Sequence, residues 1–402
     1  MTHQLVLVSL SGPDRPGLLG DITATLADAG FRLVDIQQAT LLDWLALSIL
    51  VDVGPGAEPP TRLLRAIGGT ALALGLSVDA RLIEASEASR LGRRDLWALT
   101  ILSEGLEVAT VSRLARVVGE HQANIVTIHR LAEEDLSAVD FILDVTNTPD
   151  LAELKSELLH LSDTTGIDLG LQPEDAFRKS KRLVVFDVDS TLVDGEGIDE
   201  LAREAGKGEA VAALTRQAMD GNLDFADALR RRVALLEGLS LEGVHRAAER
   251  LPLTPGAHQT VEILKELGYR VAAISGGFDL LVEPLRRKLQ LDHAYANRLE
   301  VSSGLLTGRL IGDLVDGAGK AALLQSIAAE ERIPLEQVVG VGDGANDIPM
   351  LQAAGLGIAF GRRDKIRRAA QGAIRKQDLS GILYLLGVTG RDLAVLRRRR
   401  QA

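Results

Sequence analysis

Three pairs of short apolar segments in the first half of the chain share one constant offset. "LVLVSL" (5–10) matches "WALTIL" (97–102), "LVDI" (33–36) matches "IVTI" (125–128), and "SILVDV" (48–53) matches "DFILDV" (140–145), each 92 residues on, as from Leu5 to Trp97. One repeat of that size is a duplicated domain rather than a solenoid. Each copy reads strand, helix, strand, strand, helix, strand. In the first, "GLLGDITATLADAG" has helical spacing and ends on Gly30, a residue that closes helices. "FRLVDIQQATL" and "LALSILVDV" follow as paired strands, "PPTRLLRAIGGTALALG" as a second helix and "SVDARLIE" as a last strand. That order predicts two ferredoxin-like α+β domains, over 1–86 and 94–172.

A polar segment, "QPEDAFRKSKR" (172–182), separates these copies from the remainder. From there strands alternate with helices: "LVVFDV", a long helical region to about 250, "RVAAISG", "VVGVGD" and "LGIAF". The pattern predicts an α/β fold over 181–402, a doubly wound parallel sheet with a helical cap, about 196–255, inserted after its first strand.

Composition narrows the partners. Net charge is −11 and aromatics make up 3 % of the 402 residues, which disfavours phosphate backbones and base-stacking platforms. The terminal "LRRRR" reads as a solvated helix end. No nucleic-acid or membrane partner is expected. The start, "MTHQLVLVSLSGPD", lacks the basic and apolar regions of a signal peptide, and no run of about 18 apolar residues occurs, so a cytoplasmic protein is expected. With no cysteine, disulfides, thiolate metal sites and cysteine nucleophiles are excluded.

The chemistry gathers at three strand ends, where open parallel sheets bind ligands. The first is Asp187-Val188-Asp189-Ser190-Thr191, the second Ser275-Gly276-Gly277 and the third Gly342-Asp343-Gly344-Ala345-Asn346-Asp347; Lys320 lies between the last two. If the first strand continues through Asp189, alternation points both aspartates to one face. Clustered carboxylates raise each other's pKa unless a cation intervenes, and an oxygen-only set suits Mg²⁺. A carboxylate nucleophile, a hard metal and a lysine fit phosphoryl transfer through an aspartyl-phosphate. The seven histidines form no ligand pair, "GAGKA" (317–321) lacks the residues of a Walker loop, and "GVGDGA" (340–345) would set two aspartates against a pyrophosphate.

"DVDST", "SGG", Lys320 and "GDGAND" resemble the four motifs of the haloacid dehalogenase phosphatase superfamily. "FDVDSTLVDGEGIDELAREAG", "ALRRRVALL", "ISGGFD", "ANRLEV" and "VGVGDGANDIPML" carry the likeness further, to phosphoserine phosphatases, and the two N-terminal copies resemble ACT domains. The resemblance implies that Asp187 is the nucleophile and Asp189 the general acid and base. Mg²⁺ would be held by the Asp187 and Asp343 carboxylates and the Asp189 carbonyl, with Asp347 behind them. Ser275, the Gly276 amide, Lys320 and Asn346 would hold phosphate. Glu196 would meet the ammonium of O-phospho-L-serine and Arg232 its carboxylate, with Met219 and Phe225 as an apolar wall. Composition alone cannot choose Arg232 from the run Arg230-Arg231-Arg232, which taken singly reads as a solvated face.

In the first copy Gly12, Asp14 and Gly17 fit the ACT ligand loop; the second copy has Glu104, Leu106 and Ala109 there. L-serine is expected as product and effector, with a homodimer formed through the ACT sheets. The competing readings are a phosphatase or phosphotransferase acting on another phosphorylated amino acid, such as phosphohomoserine, and a non-catalytic amino-acid sensor.

Overall fold

The computed structural model describes residues 4–54, 59–84, 87, 94–132, 137–219, 224–375 and 378–401. The chain forms two compact units, 1–94 and 95–402. In the first, β1 (Leu5–Pro13), β2 (Arg32–Leu41), β3 (Trp44–Asp52) and β4 (Ser77–Ile83) make an antiparallel sheet in the order β2-β3-β1-β4. Alternation along β1 and β3 turns Val6, Val8, Leu10, Leu45, Leu47 and Ile49 to one face. The helices Leu18–Asp28 and Pro59–Ala73 cover that face with Leu18, Ile22 and Leu26 and with Leu63 and Ile67, spaced four apart so that they share one helix side.

In the second unit the repeat recurs as β5 (Leu96–Ser103), β6 (Asn124–Ala132), β7 (Ser137–Asp144) and β8 (Asp168–Pro173), with helices Val108–Glu120 and Leu151–Thr165. The strand order β8-β5-β7-β6 is that of the first copy. The ferredoxin-like pattern expected from the repeat is therefore present twice.

The rest is a six-stranded parallel sheet in the order β11-β10-β9-β13-β14-β15, edged by β12. Its strands are β9 (Leu183–Phe186), β10 (Arg270–Phe278), β11 (His293–Ser302), β12 (Leu305–Ile311), β13 (Val338–Gly342), β14 (Leu356–Phe360) and β15 (Gly372–Ile374). Between β9 and β10 come four cap helices, Gly197–Glu204, Gly208–Met219, Phe225–Ala234 and Leu241–Arg250, and then the core helix Ala257–Glu266. Residues 183–186 are fully buried, as a central parallel strand covered on both faces requires. The hairpin β11–β12 was absent from the sequence reading. It turns on Ser303 and Gly304, both at positive φ, the backbone of a tight two-residue hairpin.

The separating segment 172–182 is a different object from the polar linker expected. β8 pairs antiparallel with β15, so the second ferredoxin-like lobe and the parallel sheet form one continuous sheet. At the join Gly170 lies close under the helix Gly381–Leu385: a Cβ there would lie 2.8 Å from Leu385 Cδ2. Arg178, 1 % exposed, pairs with buried Asp140 of β7 and with Glu174. The Arg178 charge is paired internally rather than solvated, and composition cannot distinguish the two. Arg178→Met would strand Asp140 in the interior. We expect a loss of about 3–5 kcal/mol, read as a lower thermal midpoint.

Candidate active site

From β9 the chain moves to β10 and β11 on one side, then returns to β13 on the other. The carboxyl ends of β9 and β13 therefore flank the switch point of the sheet, where a crevice must open. A cavity of about 490 Å³ lies there, bordered by Asp187, Asp189, Glu196, Arg232, Lys320 and Asp343 among others. Four stretches far apart in sequence supply those six side chains: 187–196, and the regions of Arg232, Lys320 and Asp343.

Asp187 follows β9 directly, and its amide donates to the Val341 carbonyl at 2.8 Å, extending the ladder by one bond. The strand ends at Phe186, so alternation is not what joins Asp187 and Asp189; this corrects the expectation. Ser190, with φ of 58°, instead turns the chain, and the Asp189 carboxylate is held from two sides. Oδ1 accepts from the Gly197 amide at 2.7 Å and Oδ2 from the Ser275 hydroxyl at 3.3 Å. Ser275 Oγ in turn accepts from the Gly277 amide at 2.8 Å. A Cβ on Gly277 would lie 2.7 Å from Asp189 Oδ2 and 2.9 Å from Ser275 Oγ, so only glycine lets that strand end approach so closely. Gly276 is fixed through its carbonyl, which accepts from Asn297 Nδ2 at 2.8 Å.

Lys320, on the helix Gly317–Glu330, is 1 % exposed and donates to Asp187 Oδ1 and Asp347 Oδ1, each at 2.6 Å. Burial works against its charge, but Asp187 and Asp347 outweigh burial and leave its pKa raised. The other oxygen of Asp347 accepts from the Asp343 and Gly344 amides at 3.1 and 2.9 Å. Asp187, Asp343 and Asp347 each present an oxygen, all within 4.8 Å of one another. Both oxygens of Asp347 are already engaged, whereas Asp187 and Asp343 border the cavity. Burial pushes Asp187 well up, helped by Asp347 and opposed by Lys320, and burial pushes Asp343 up to about 6. Burial raises Asp189 as well. Such crowded, oxygen-only carboxylates fit a hard divalent cation, which would favour their ionised forms.

On the cap side, Glu196 precedes the helix Gly197–Glu204, and its Oε1 accepts from the Ser190 hydroxyl at 3.1 Å. The carboxylate is open to the cavity, yet surrounding protein and then Asp189 push it up to about 7. Arg232, on the helix Phe225–Ala234, is half-buried and borders the same cavity, while Arg230 and Arg231 face solvent. Asn346 also lines the cavity. The side chains of Met219 and Phe225 lie outside the described residues. Among those described, Ile198, Leu229 and Phe278 supply apolar lining.

Besides these apolar residues, a cation lines the cavity that was not expected from the sequence. Arg363, just beyond β14, pairs with Asp343 Oδ2 at 3.0 Å and borders the cavity. Its signal was present: "LGIAF" is a strand of this sheet and "GRRDK" is its carboxyl end.

In the first unit, Gly12 lies in β1, where a Cβ would meet Leu76 Cδ2 at 2.8 Å and the Gly75 carbonyl at 2.9 Å. Asp14 accepts from the Thr40 hydroxyl at 3.2 Å, and Gly17, with φ of 94°, begins the helix Leu18–Asp28.

A profile of haloacid dehalogenase-like hydrolases matches residues 184–352, and ACT-domain profiles match 4–81 and 97–172. The phosphoserine phosphatase SerB2 of Mycobacterium tuberculosis is 38 % identical over 386 residues, covering 96 % of this chain and 93 % of that protein. This chain belongs to the phosphoserine phosphatase family. The phosphoserine phosphatase of Streptomyces coelicolor is likewise 38 % identical, over 96 % of this chain and 93 % of its own length. Among solved structures, a probable phosphoserine phosphatase from Vibrio cholerae is 29 % identical with a TM-score of 0.57, covering 75 % of this chain and 88 % of its own. The chain is thus an enzyme with two ACT domains ahead of a haloacid dehalogenase-like hydrolase core. No helix among the described residues is long and apolar enough to cross a membrane.

Proposed function

We propose that the chain hydrolyses O-phospho-L-serine to L-serine and phosphate, the last step of L-serine biosynthesis, through an aspartyl-phosphate on Asp187. The observation that carries this reading is one cavity with Lys320 bonded to Asp187 at one end and Glu196 and Arg232 facing it from the cap. A phosphate at Asp187 leaves those two to take the ammonium and the carboxylate of the same small molecule. A guanidinium suits a carboxylate because its N–H groups pair with both oxygens.

In the first step an Asp187 oxygen attacks phosphorus, the serine oxygen–phosphorus bond breaks, and Asp189 gives its proton to the departing oxygen. In the second, Asp189, now ionised, takes a proton from water as that water attacks the phosphorus of the aspartyl-phosphate, and the Asp187 carboxylate is released. A raised pKa suits a group that must first donate and then accept. Ser275, the Gly276 amide, Lys320 and Asn346 hold the phosphate oxygens. Mg²⁺ would be held by the Asp187 and Asp343 carboxylates and the Asp189 carbonyl, with Asp347 supporting them; bound there, it would supply positive charge against the phosphate. Phosphate release from a panel of phosphorylated amino acids, with Mg²⁺ and after chelation, tests the reading. Equal rates on all members would defeat the assignment of Glu196 and Arg232.

The Glu196 carboxylate must be ionised to hold an ammonium. With its pKa at about 7, kcat/KM should rise as pH increases through that value. Glu196→Gln should lower kcat/KM by about tenfold or more and remove that limb of the profile. A profile unchanged in shape would reject the role.

We further propose that the Gly12, Asp14 and Gly17 loop binds L-serine as effector and that the chain dimerises through its ACT sheets. The division at Arg94 sets the truncation that tests the effector site. Removing 1–94 should spare turnover and abolish serine inhibition beyond product competition. A cut at 172 would instead strip β8 from β15 and damage the catalytic sheet.

A further inference from the structure

The helix Asp364–Ala369 touches two parts of the second unit. At its start, Arg363 reaches Asp343 at 3.0 Å inside the catalytic cavity. One turn on, Arg367, 3 % exposed, pairs with Asp163 and donates to Ser162 Oγ at 3.1 Å, both on the helix Leu151–Thr165 of the second ferredoxin-like lobe. From the same lobe helix, Lys155 Nζ donates to the Arg368 carbonyl at 3.3 Å. A six-residue helix with a buried anchor has little freedom, so the lobe sets where Arg363 stands. Arg363 itself is 59 % exposed and Asp343 14 %, so the pair sits at the cavity wall with its cation toward solvent.

We propose that Arg363 is a positioning residue that competes with the divalent cation for Asp343, and that the second ferredoxin-like lobe tunes this competition through Arg367. This rests on the reading of Asp343 as a metal ligand. A cation arriving at Asp343 meets a guanidinium already paired there and must displace it. Once displaced, Arg363 still borders the cavity and adds positive charge facing the bound phosphate. The two effects have opposite signs: Arg363 weakens metal binding and strengthens anion binding. A residue that merely supports the fold would shift both in one direction.

Calorimetric titration of the full-length protein with Mg²⁺, and separately of the Mg²⁺-loaded protein with inorganic phosphate, reads both. In Arg363→Met, Mg²⁺ should bind about fivefold tighter and phosphate about fivefold weaker, within the range of a half-exposed ion pair. Arg363→Lys should restore most of the phosphate affinity. Asp163→Asn, which weakens the anchor without touching the cavity, should move both constants in the same directions by a smaller factor. Mg²⁺ binding unchanged or weakened in Arg363→Met overturns the competition. Asp163→Asn with wild-type constants overturns the role of the lobe. If Asp343→Asn binds Mg²⁺ as tightly as the wild type, the metal-ligand reading itself has failed, which is a result separate from either.

Discussion

Asp187→Asn should reduce phosphate release by about 10³-fold or more and leave no acid-stable phosphate on the protein. The amide is nearly isosteric, so Lys320 keeps a hydrogen-bond acceptor and the fold should survive. The amide oxygen, however, lacks the charge needed to attack phosphorus. Mass spectrometry after rapid acid quench should detect a phosphorylated wild-type chain and none in the variant. Asp189→Asn should behave differently, losing proton transfer in both half-reactions while the attacking carboxylate remains. A fully active Asp187→Asn protein would falsify the assignment of the nucleophile.

Lys320→Met should damage stability and activity together. The wild-type ammonium bonds to both Asp187 and Asp347, and all three side chains are buried. Removing it leaves two carboxylates in the interior without their cation, a loss of about 3–5 kcal/mol. Its pH dependence has a definite sign. Burial already raises Asp187, and without Lys320 that pKa rises further. The folded variant then binds protons more tightly than the unfolded chain, so the penalty is full above the raised pKa and shrinks as pH falls through it toward the unfolded value. Thermal midpoints in the presence of a chelator should show a smaller deficit near pH 5 than near pH 8. A deficit constant across that range would mean that the carboxylates are satisfied in some other way.

Much of this protein was legible in its residues because the relevant signals are local. The offset of 92 predicted two like domains, and both sheets have the same strand order. The apolar run Leu183–Phe186 read as a buried strand and is one. The strand-end clusters pointed to one crevice because parallel sheets place their ligands there. What escaped was short or depended on a partner distant in sequence. β15 has three residues, too few for any periodicity. Arg363 stood in a charged stretch that resembles a solvated face, as did Arg178 in its polar segment; nothing local shows that Asp343 or Asp140 will lie opposite.

The run Arg230-Arg231-Arg232 shows the division most clearly. The sequence by itself determined that three guanidinium groups occupy consecutive positions on a helix. Consecutive side chains on a helix point some 100° apart, so all three cannot face the same surroundings. Only the packing of that helix over the sheet decided that Arg232 borders the cavity while its neighbours face solvent. The same holds for the paired aspartates. Their identity and order were given along the chain. The meeting of Asp187 with Lys320, of Asp189 with Ser275, and of Asp343 with Arg363 was made by strand order, because charges interact through the distance between them and not through their separation in sequence.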